Sequence, residues 1–368
     1  MSLTFHSLKV LERESISEGA VSITLEIPES LRQDYEFKPG QHVAVRAIIA
    51  GKELRRTYSI TDASPVGCLR LGIRIQGAVS RYLAEEIAVG ATVDAMTPSG
   101  RFIRPVDPRS VGAMPGGRSI LAVAAGSGIT PIMSIVTSIL EREADCRVML
   151  IYGNQSYGRA MFIEDILALK DRFMERLAVH FVMSREPQEI DLYNGRLDAG
   201  KIHELAAALF DPSSLNEVYL CGPGDMVNSV RDELGALGTK AAIHFERFTG
   251  AAGSSVPVIA APMGVVNNAV PSAADAVLVN ILKDGRRRQF SLTDRDESVL
   301  EAAEKAGLDL PYSCRSGVCS TCRVKVIKGT VHMVHNVALE DWEIAAGFVL
   351  CCQARVTSRE LELSYDEK

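Results

Sequence analysis

The chain has 368 residues, 47% hydrophobic and 23% charged, an ordinary globular balance in a length that points to two or three domains. Its 40 Lys and Arg against 46 Asp and Glu leave a net charge of −6 with no basic block, which argues against nucleic acid or an anionic membrane surface as a partner. The opening Met-Ser-Leu-Thr-Phe-His has no basic stretch leading into an apolar run, so a cytoplasmic protein is expected.

Residues 1–108 read as alternating strands with turn signals, as in ITLEI (23–27), HVAVRAII (42–49) and LRLGIRI (69–75), and predict a small antiparallel β-barrel. Within it, Arg56-Thr57-Tyr58-Ser59 offers a cation for a flavin phosphate, an aromatic face for the ring and a hydroxyl for N5. Gly77-Ala78-Val79-Ser80 precedes the helical RYLAEEI. Glycine allows close approach, Ser80 can cap the helix, and free N–H groups suit a pyrophosphate. A plain capped helix fits that stretch equally well.

From 109 to 249 strands alternate with helical segments: ILAVAA (120–125), PIMSIVTSILERE (131–143), RVMLIYG (147–153), FIEDILALKDRF (162–173), LAVHFVMS (177–184), LDAGKIHELAAALF (197–210), EVYLCG (217–222) and DMVNSVRDELGALG (225–238). This predicts a parallel sheet with crossover helices, a Rossmann-like α/β domain. Residues 120–140 carry no charge and could span a bilayer, but Gly126, Gly128 and Pro131 divide them into a strand, a turn and a helix. In that turn, Gly126, Ser127, Gly128, Thr130 and Pro131 have the strand-to-helix context of a phosphate-binding site. Pro131 stands near the place of the third glycine in G-x-G-x-x-G. Cys221-Gly222-Pro223-Gly224 ends a later strand at the carboxyl edge of the same sheet, where ligands bind.

Residues 250–276 hold three prolines and no periodicity, and read as a linker or, alternatively, as a further strand on a neighbouring domain. The last unit, 277–368, opens with a hairpin turning at Asp284-Gly285, followed by a helix near 297–306. Five of the eight cysteines lie between 314 and 352. The spacing C-x4-C-x2-C at Cys314, Cys319 and Cys322, with Cys352 thirty residues on, is that of a plant-type [2Fe–2S] cluster. Zinc sites usually show two short C-x2-C pairs, and only one is present here. Cys351 and Cys352 are adjacent, so only one of them can reach the loop.

These motifs, in this order, resemble the ferredoxin–NADP reductase superfamily with a fused C-terminal plant-type ferredoxin of α+β β-grasp fold. The likeness covers essentially the whole chain. It implies that Arg56 binds a flavin phosphate, Tyr58 packs on the isoalloxazine and Ser59 lies near N5. Gly77, Ala78, Val79 and Ser80 then form the pyrophosphate turn of FAD. Gly126 to Pro131 and Cys221 to Pro223 form the nicotinamide-binding pair, and Phe248 of HFERF lies near the flavin. The V-L-x-C pattern of VLCCQARV favours Cys352 as the fourth ligand. Ser184-Arg185 is similar to the 2′-phosphate site, which favours NADPH over NADH. The stretches FKPGQH, ELRRTYSI, AAGSGITP and GVCSTCRVKV look like reductase components that feed a separate di-iron oxygenase component. No Glu-x-x-His pair of that kind occurs in this chain. A Rieske-type acceptor and a redox-sensing role are the alternatives.

Overall fold

The computed structural model describes residues 4–62, 67–103, 117–249, 256–260, 276–293 and 297–367. The chain divides into two compact units, residues 3–249 and 250–368. No helix among the described residues is long and apolar enough to cross a membrane.

In the first unit, β1 (Phe5–Ser17), β2 (Ala20–Glu26), β3 (His42–Ile49), β4 (Lys52–Ser59), β5 (Cys68–Arg74) and β6 (Thr92–Met96) form an antiparallel sheet in the order β4-β3-β6-β1-β2-β5. An antiparallel bridge from Ile60 to Leu71 joins the outer strands and closes the sheet into the expected barrel. Leu8, Val10, Ile23, Leu25, Val43, Val45, Leu69 and Leu71 fill its interior. Each such side chain contributes roughly 1.5–3 kcal/mol by leaving water. Short helix α1 (Ala78–Arg81) runs on into a wider turn, Tyr82–Glu86, and packs Val79, Leu83 and Ile87 into the same core.

The same unit continues into five parallel strands, β7 (Arg118–Ala125), β8 (Cys146–Asn154), β9 (Leu177–Met183), β10 (Glu217–Pro223) and β11 (Ala242–Thr249), ordered β11-β10-β7-β8-β9. Helices α2 (Ile129–Arg142) and α3 (Ile163–Arg172) cover one face, and α4 (Ala199–Leu209) and α5 (Gly224–Ala236) the other. Along β7, Ile120, Ala122 and Ala124 pack towards α2 while Leu121 and Val123 pack towards α4 and α5. A strand covered on both faces must be apolar throughout, which explains the first part of the uncharged run, residues 120–125. Arg70 of β5 ties the barrel to this sheet. It bonds Asp165 of α3 at 2.5 Å and lies over the Phe162 ring.

In the second unit, β12 (Val256–Ala260), β13 (Val277–Lys283), β14 (Arg286–Leu292), α6 (Val299–Lys305), β15 (Arg323–Lys328), β16 (Thr330–Met333), α7 (Asp341–Ala345), β17 (Phe348–Leu350), β18 (Ala354–Val356) and β19 (Glu360–Ser364) follow in order. They make a five-stranded mixed sheet, β14-β13-β19-β15-β17, and a three-stranded one, β12-β16-β18. The predicted hairpin is present, with Asp284 at φ 52° and Gly285 at φ 69°, the left-handed pair that a tight two-residue turn needs. Helix α6 starts on a capping box in which Ser298 and Glu301 satisfy each other's backbone N–H.

Of the two readings of residues 250–276, the linker does not hold for Val256–Ala260: these five residues pair antiparallel with β16, as the alternative of a further strand expects. Periodicity could not show it, because VPVIA is too short and too apolar to alternate. The rest of 250–275 and the boundary placed at 108/109 lie outside the described residues.

Candidate functional site

Strand β4 carries Arg56, Tyr58 and Ser59. Arg56 is exposed, and its Nη1 donates to the Arg55 carbonyl at 2.7 Å. Tyr58 is half-buried against the barrel core, and burial raises its phenol above the usual range while Arg56 pulls the other way. Arg56 and Tyr58 share one face of the strand and Ser59 takes the other, where it is 5% exposed. Ser59 stands opposite His42 of β3, and His42 stands opposite Ser99.

At the expected pyrophosphate turn, a Cβ on Gly77 would meet nothing within 4 Å, so a ligand can approach the backbone there. The Ser80 hydroxyl accepts from the N–H groups of Gln76 (2.9 Å) and Gly77 (3.0 Å) and donates to the Gly77 carbonyl. Ser80 therefore shapes the turn from within, and the fit to a phosphate rests on the backbone of Gly77, Ala78 and Val79.

The two glycine-bearing loops of the parallel sheet meet at its carboxyl edge. A Cβ on Gly128 would stand 2.2 Å from the Cys221 carbonyl oxygen, so only glycine permits this contact. Gly126 is open in the same sense as Gly77. Thr130 is buried with its hydroxyl on the Ser127 carbonyl at 2.8 Å, and Pro131 is the third residue of α2, where no intrahelical N–H is lost. Cys221 is fully buried, and burial together with the neighbouring Glu246 drives its thiol well up. It is a neutral packing group rather than a nucleophile. Phe248, on β11, is partly buried against the core between β7 and α2.

Beyond β9, Ser184 and Arg185 are exposed. A parallel bridge from Met183 to Asn194 starts two stretches side by side, with Arg185 and Arg196 each two residues further on. No sequence motif points to Arg196. Neither guanidinium has an ion-pair partner among the described residues.

The cysteine loop is wound tightly, with Arg315 (φ 56°), Gly317 (φ 77°) and Ser320 (φ 53°) in left-handed conformations. A Cβ on Gly317 would stand 2.8 Å from the His335 carbonyl. The four thiols fall into two touching pairs, Cys314 with Cys319 and Cys322 with Cys352. Contact with the Cys319 thiol, then the Ser316 and Val318 N–H groups, holds the Cys314 thiol well below its ordinary range. Among the described residues, no three His, Cys, Asp or Glu converge on one point. Two pairs suit two irons with two thiolates each. The Ser313 hydroxyl is sealed and has no partner among the described residues, leaving a donor for cluster sulfur. Cys351 packs in the core beside Tyr365, while Cys352 accepts from Gln353 Nε2 at 3.6 Å. Strand β17 ends at Leu350, so a turn rather than the strand pleat separates these two cysteines.

A closed barrel, a parallel sheet with open glycine loops at its carboxyl edge and a four-thiol loop together define a flavin- and iron–sulfur-dependent NAD(P)H oxidoreductase. The oxidoreductase FAD-binding domain family matches residues 7–103, the oxidoreductase NAD-binding domain family residues 122–232, and the 2Fe-2S iron-sulfur cluster binding domain family residues 281–357. The chain belongs to the ferredoxin–NADP reductase-type family with a fused C-terminal [2Fe–2S] ferredoxin, and its cofactors are FAD, NAD(P)H and a [2Fe–2S] cluster. Among curated relatives, a subunit of the 1,2-phenylacetyl-CoA epoxidase of Escherichia coli (strain K12) is 38% identical over 369 residues, covering 99% of both chains. The ferredoxin reductase component of 3-ketosteroid-9-alpha-monooxygenase from Rhodococcus rhodochrous is 30% identical, over 94% of this chain and 92% of the relative. In fold, phthalate dioxygenase reductase aligns with a TM-score of 0.53 at 21% identity, over 98% of each chain.

Proposed function

We propose that this chain is the reductase component of a phenylacetyl-CoA epoxidase-type system in the cytoplasm, relaying electrons from NADPH through FAD and the [2Fe–2S] cluster to a separate oxygenase component. The observation that carries this reading is the 38% identity to the Escherichia coli epoxidase protein, which spans 99% of both chains. A flavin accepts a hydride and gives up electrons singly, which matches a two-electron nicotinamide to a one-electron cluster.

The residues divide the work. Arg56 holds a flavin phosphate, Tyr58 packs on the ring, Ser59 lies at its N5 edge and the Gly77–Val79 backbone receives the pyrophosphate. The Gly126–Pro131 turn and the Cys221–Pro223 loop seat the nicotinamide nucleotide, with Phe248 beside the flavin. Arg185 and Arg196, with Ser184, offer paired cations to a 2′-phosphate dianion, which supports NADPH as donor. Cys314 and Cys319 ligate one iron, and Cys322 and Cys352 the other.

Reconstitution tests the acceptor. The holoprotein with NADPH should support turnover by a phenylacetyl-CoA epoxidase oxygenase component and not by a Rieske-type hydroxylase. The opposite preference would overturn the assignment.

A further inference from the structure

Tyr152 is a fully buried tyrosine on β8 that none of the coenzyme motifs contains. In the parallel register it stands between Ala124 of β7 and Phe181 of β9, with its ring in the core that α2 covers. A buried phenol needs a partner for its hydroxyl, and this one has two. Tyr152 Oη donates to the Gly126 carbonyl at 3.0 Å and accepts from the Met161 N–H at 3.0 Å. Burial raises the phenol to about 12, so the hydroxyl keeps its proton at neutral pH.

The bond to Gly126 decides how the nucleotide turn presents its backbone. Gly126 has φ 55° and opens the turn that leads into α2. Its carbonyl also receives the Ile129 N–H, a bond that Ile129 shares with the Ser127 carbonyl. Glycine moves between backbone regions at little cost, so a shared bond alone is a loose hold. The peptide unit is planar and trans, with C=O and N–H pointing opposite ways. Fixing the Gly126 carbonyl inward on Tyr152 thus turns the Ser127 N–H outward, at a helix start where N–H groups have no intrahelical acceptor.

The bond from Met161 gives the same hydroxyl a second anchor. Residues 155–161 carry contacts that join the parallel sheet to the barrel. The Glu18 N–H bonds the Gly158 carbonyl at 2.7 Å, and Arg74 donates to the Arg159 carbonyl at 2.5 Å. The same stretch holds the start of the segment after β9. The Arg185 N–H bonds the Gln155 carbonyl at 2.9 Å, and the Tyr157 N–H bonds Glu186 Oε2 at 2.7 Å. One hydroxyl thereby references the glycine turn to both the flavin barrel and Arg185.

We propose that Tyr152 is a positioning residue for the nicotinamide nucleotide, its hydroxyl holding the Gly126–Ser127 peptide with the N–H facing the coenzyme. Sealed in the core, it acts through the turn that serves NADPH and NADH alike. It sets affinity for both without choosing between them.

This inference rests on the reading of Gly126–Pro131 as the nucleotide turn, and the test separates the two. Titrating the oxidised holoprotein with NADP⁺ and with NAD⁺, followed by the flavin difference spectrum, gives both dissociation constants. In Tyr152→Phe, which keeps the ring, both should rise about fivefold, the worth of one ordinary hydrogen bond. The KM for NADPH in ferricyanide reduction should rise alike, while kcat changes less than twofold. A lower melting temperature with both dissociation constants unchanged would overturn the proposal and leave Tyr152 a packing residue. A rise for NADP⁺ alone would overturn it as well. In the unsubstituted holoprotein, NADP⁺ should slow hydrogen exchange of the Ser127 amide, and undiminished exchange with coenzyme bound would rule out the outward N–H. Ser127→Glu places a carboxylate that suits a helix N-terminus and repels a phosphate, and should weaken both coenzymes strongly. Unaltered binding in that variant would overturn the nucleotide turn itself rather than the part played by Tyr152.

Discussion

Cys314, Cys319 and Cys322 come from one loop of nine residues, whereas Ser59, His42, Ser99, Cys221 and Glu246 come from five segments that meet only when the barrel and the parallel sheet are formed. The first site is chemistry written locally, because soft thiolate ligands select the metal centre and need only a tight turn. The second is chemistry produced by register, with ordinary residue types made special by what stands opposite them. Damage to the first should be all-or-none and confined to the cluster. Damage to the second should be graded.

The largest contrast is expected between adjacent cysteines. Cys352→Ser should abolish the cluster's visible absorption and its cytochrome c reduction while leaving NADPH–ferricyanide activity, and Cys351→Ser should keep the cluster. A cluster lost in Cys351→Ser and kept in Cys352→Ser would reverse the ligand assignment. Next, Gly128→Ala forces a methyl group into the Cys221 carbonyl, and should cost about 1–3 kcal/mol in denaturant unfolding and weaken nucleotide binding. Ordinary stability in that variant would show that the two loops can separate without cost.

Acid–base linkage gives a smaller effect with a definite sign. Glu246 titrates near 8 when folded and near 4.5 when unfolded, so the native state holds an extra proton across that interval and stability falls as pH rises through it. His42 titrates near 4 when folded and near 6.5 when unfolded, so its contribution rises with pH and largely offsets the first up to about 6.5. A net loss of at most about 2 kcal/mol should remain between pH 6.5 and 8. Glu246→Gln should flatten it in thermal melts, and an identical slope in that variant would exclude Glu246 as the source. The smallest effect is on coenzyme choice. Arg185→Ala and Arg196→Ala should each raise the KM for NADPH about tenfold, the worth of one charged hydrogen bond, with NADH unaffected.

The contrast also explains what could be read from the sequence. The strand HVAVRAII and the helix following Pro131 declare themselves through period and punctuation, and the observed β3 and α2 fall there. The cysteine spacing is legible because ligation needs those atoms and little else. His42 and Arg196 were not legible. A histidine after Pro-Gly-Gln and an arginine after Asn-Gly are unremarkable until Glu246 and Arg185 are brought alongside by contacts more than ten residues away in sequence. Ser80 shows the converse, since its place in the motif was right while its hydroxyl turned inward to the chain. Strand β12 stood only as the alternative to a linker because its partner, β16, lies some seventy residues later.

The pairing of the four thiols bears on biogenesis. Cys314 and Cys319 belong to a single loop, so their separation is set locally. Cys352 comes into reach of Cys322 only once β15 and β17 have paired at Arg323–Leu350, so the full four-thiol set that would hold the cluster exists only in the folded unit. Because metal binding free energy is folding free energy in such a site, completing the inorganic core reports that the polypeptide around it has been assembled. Iron starvation should therefore leave this unit open to proteolysis while the preceding barrel and parallel sheet, which hold no iron ligand among the four cysteines, stay protected.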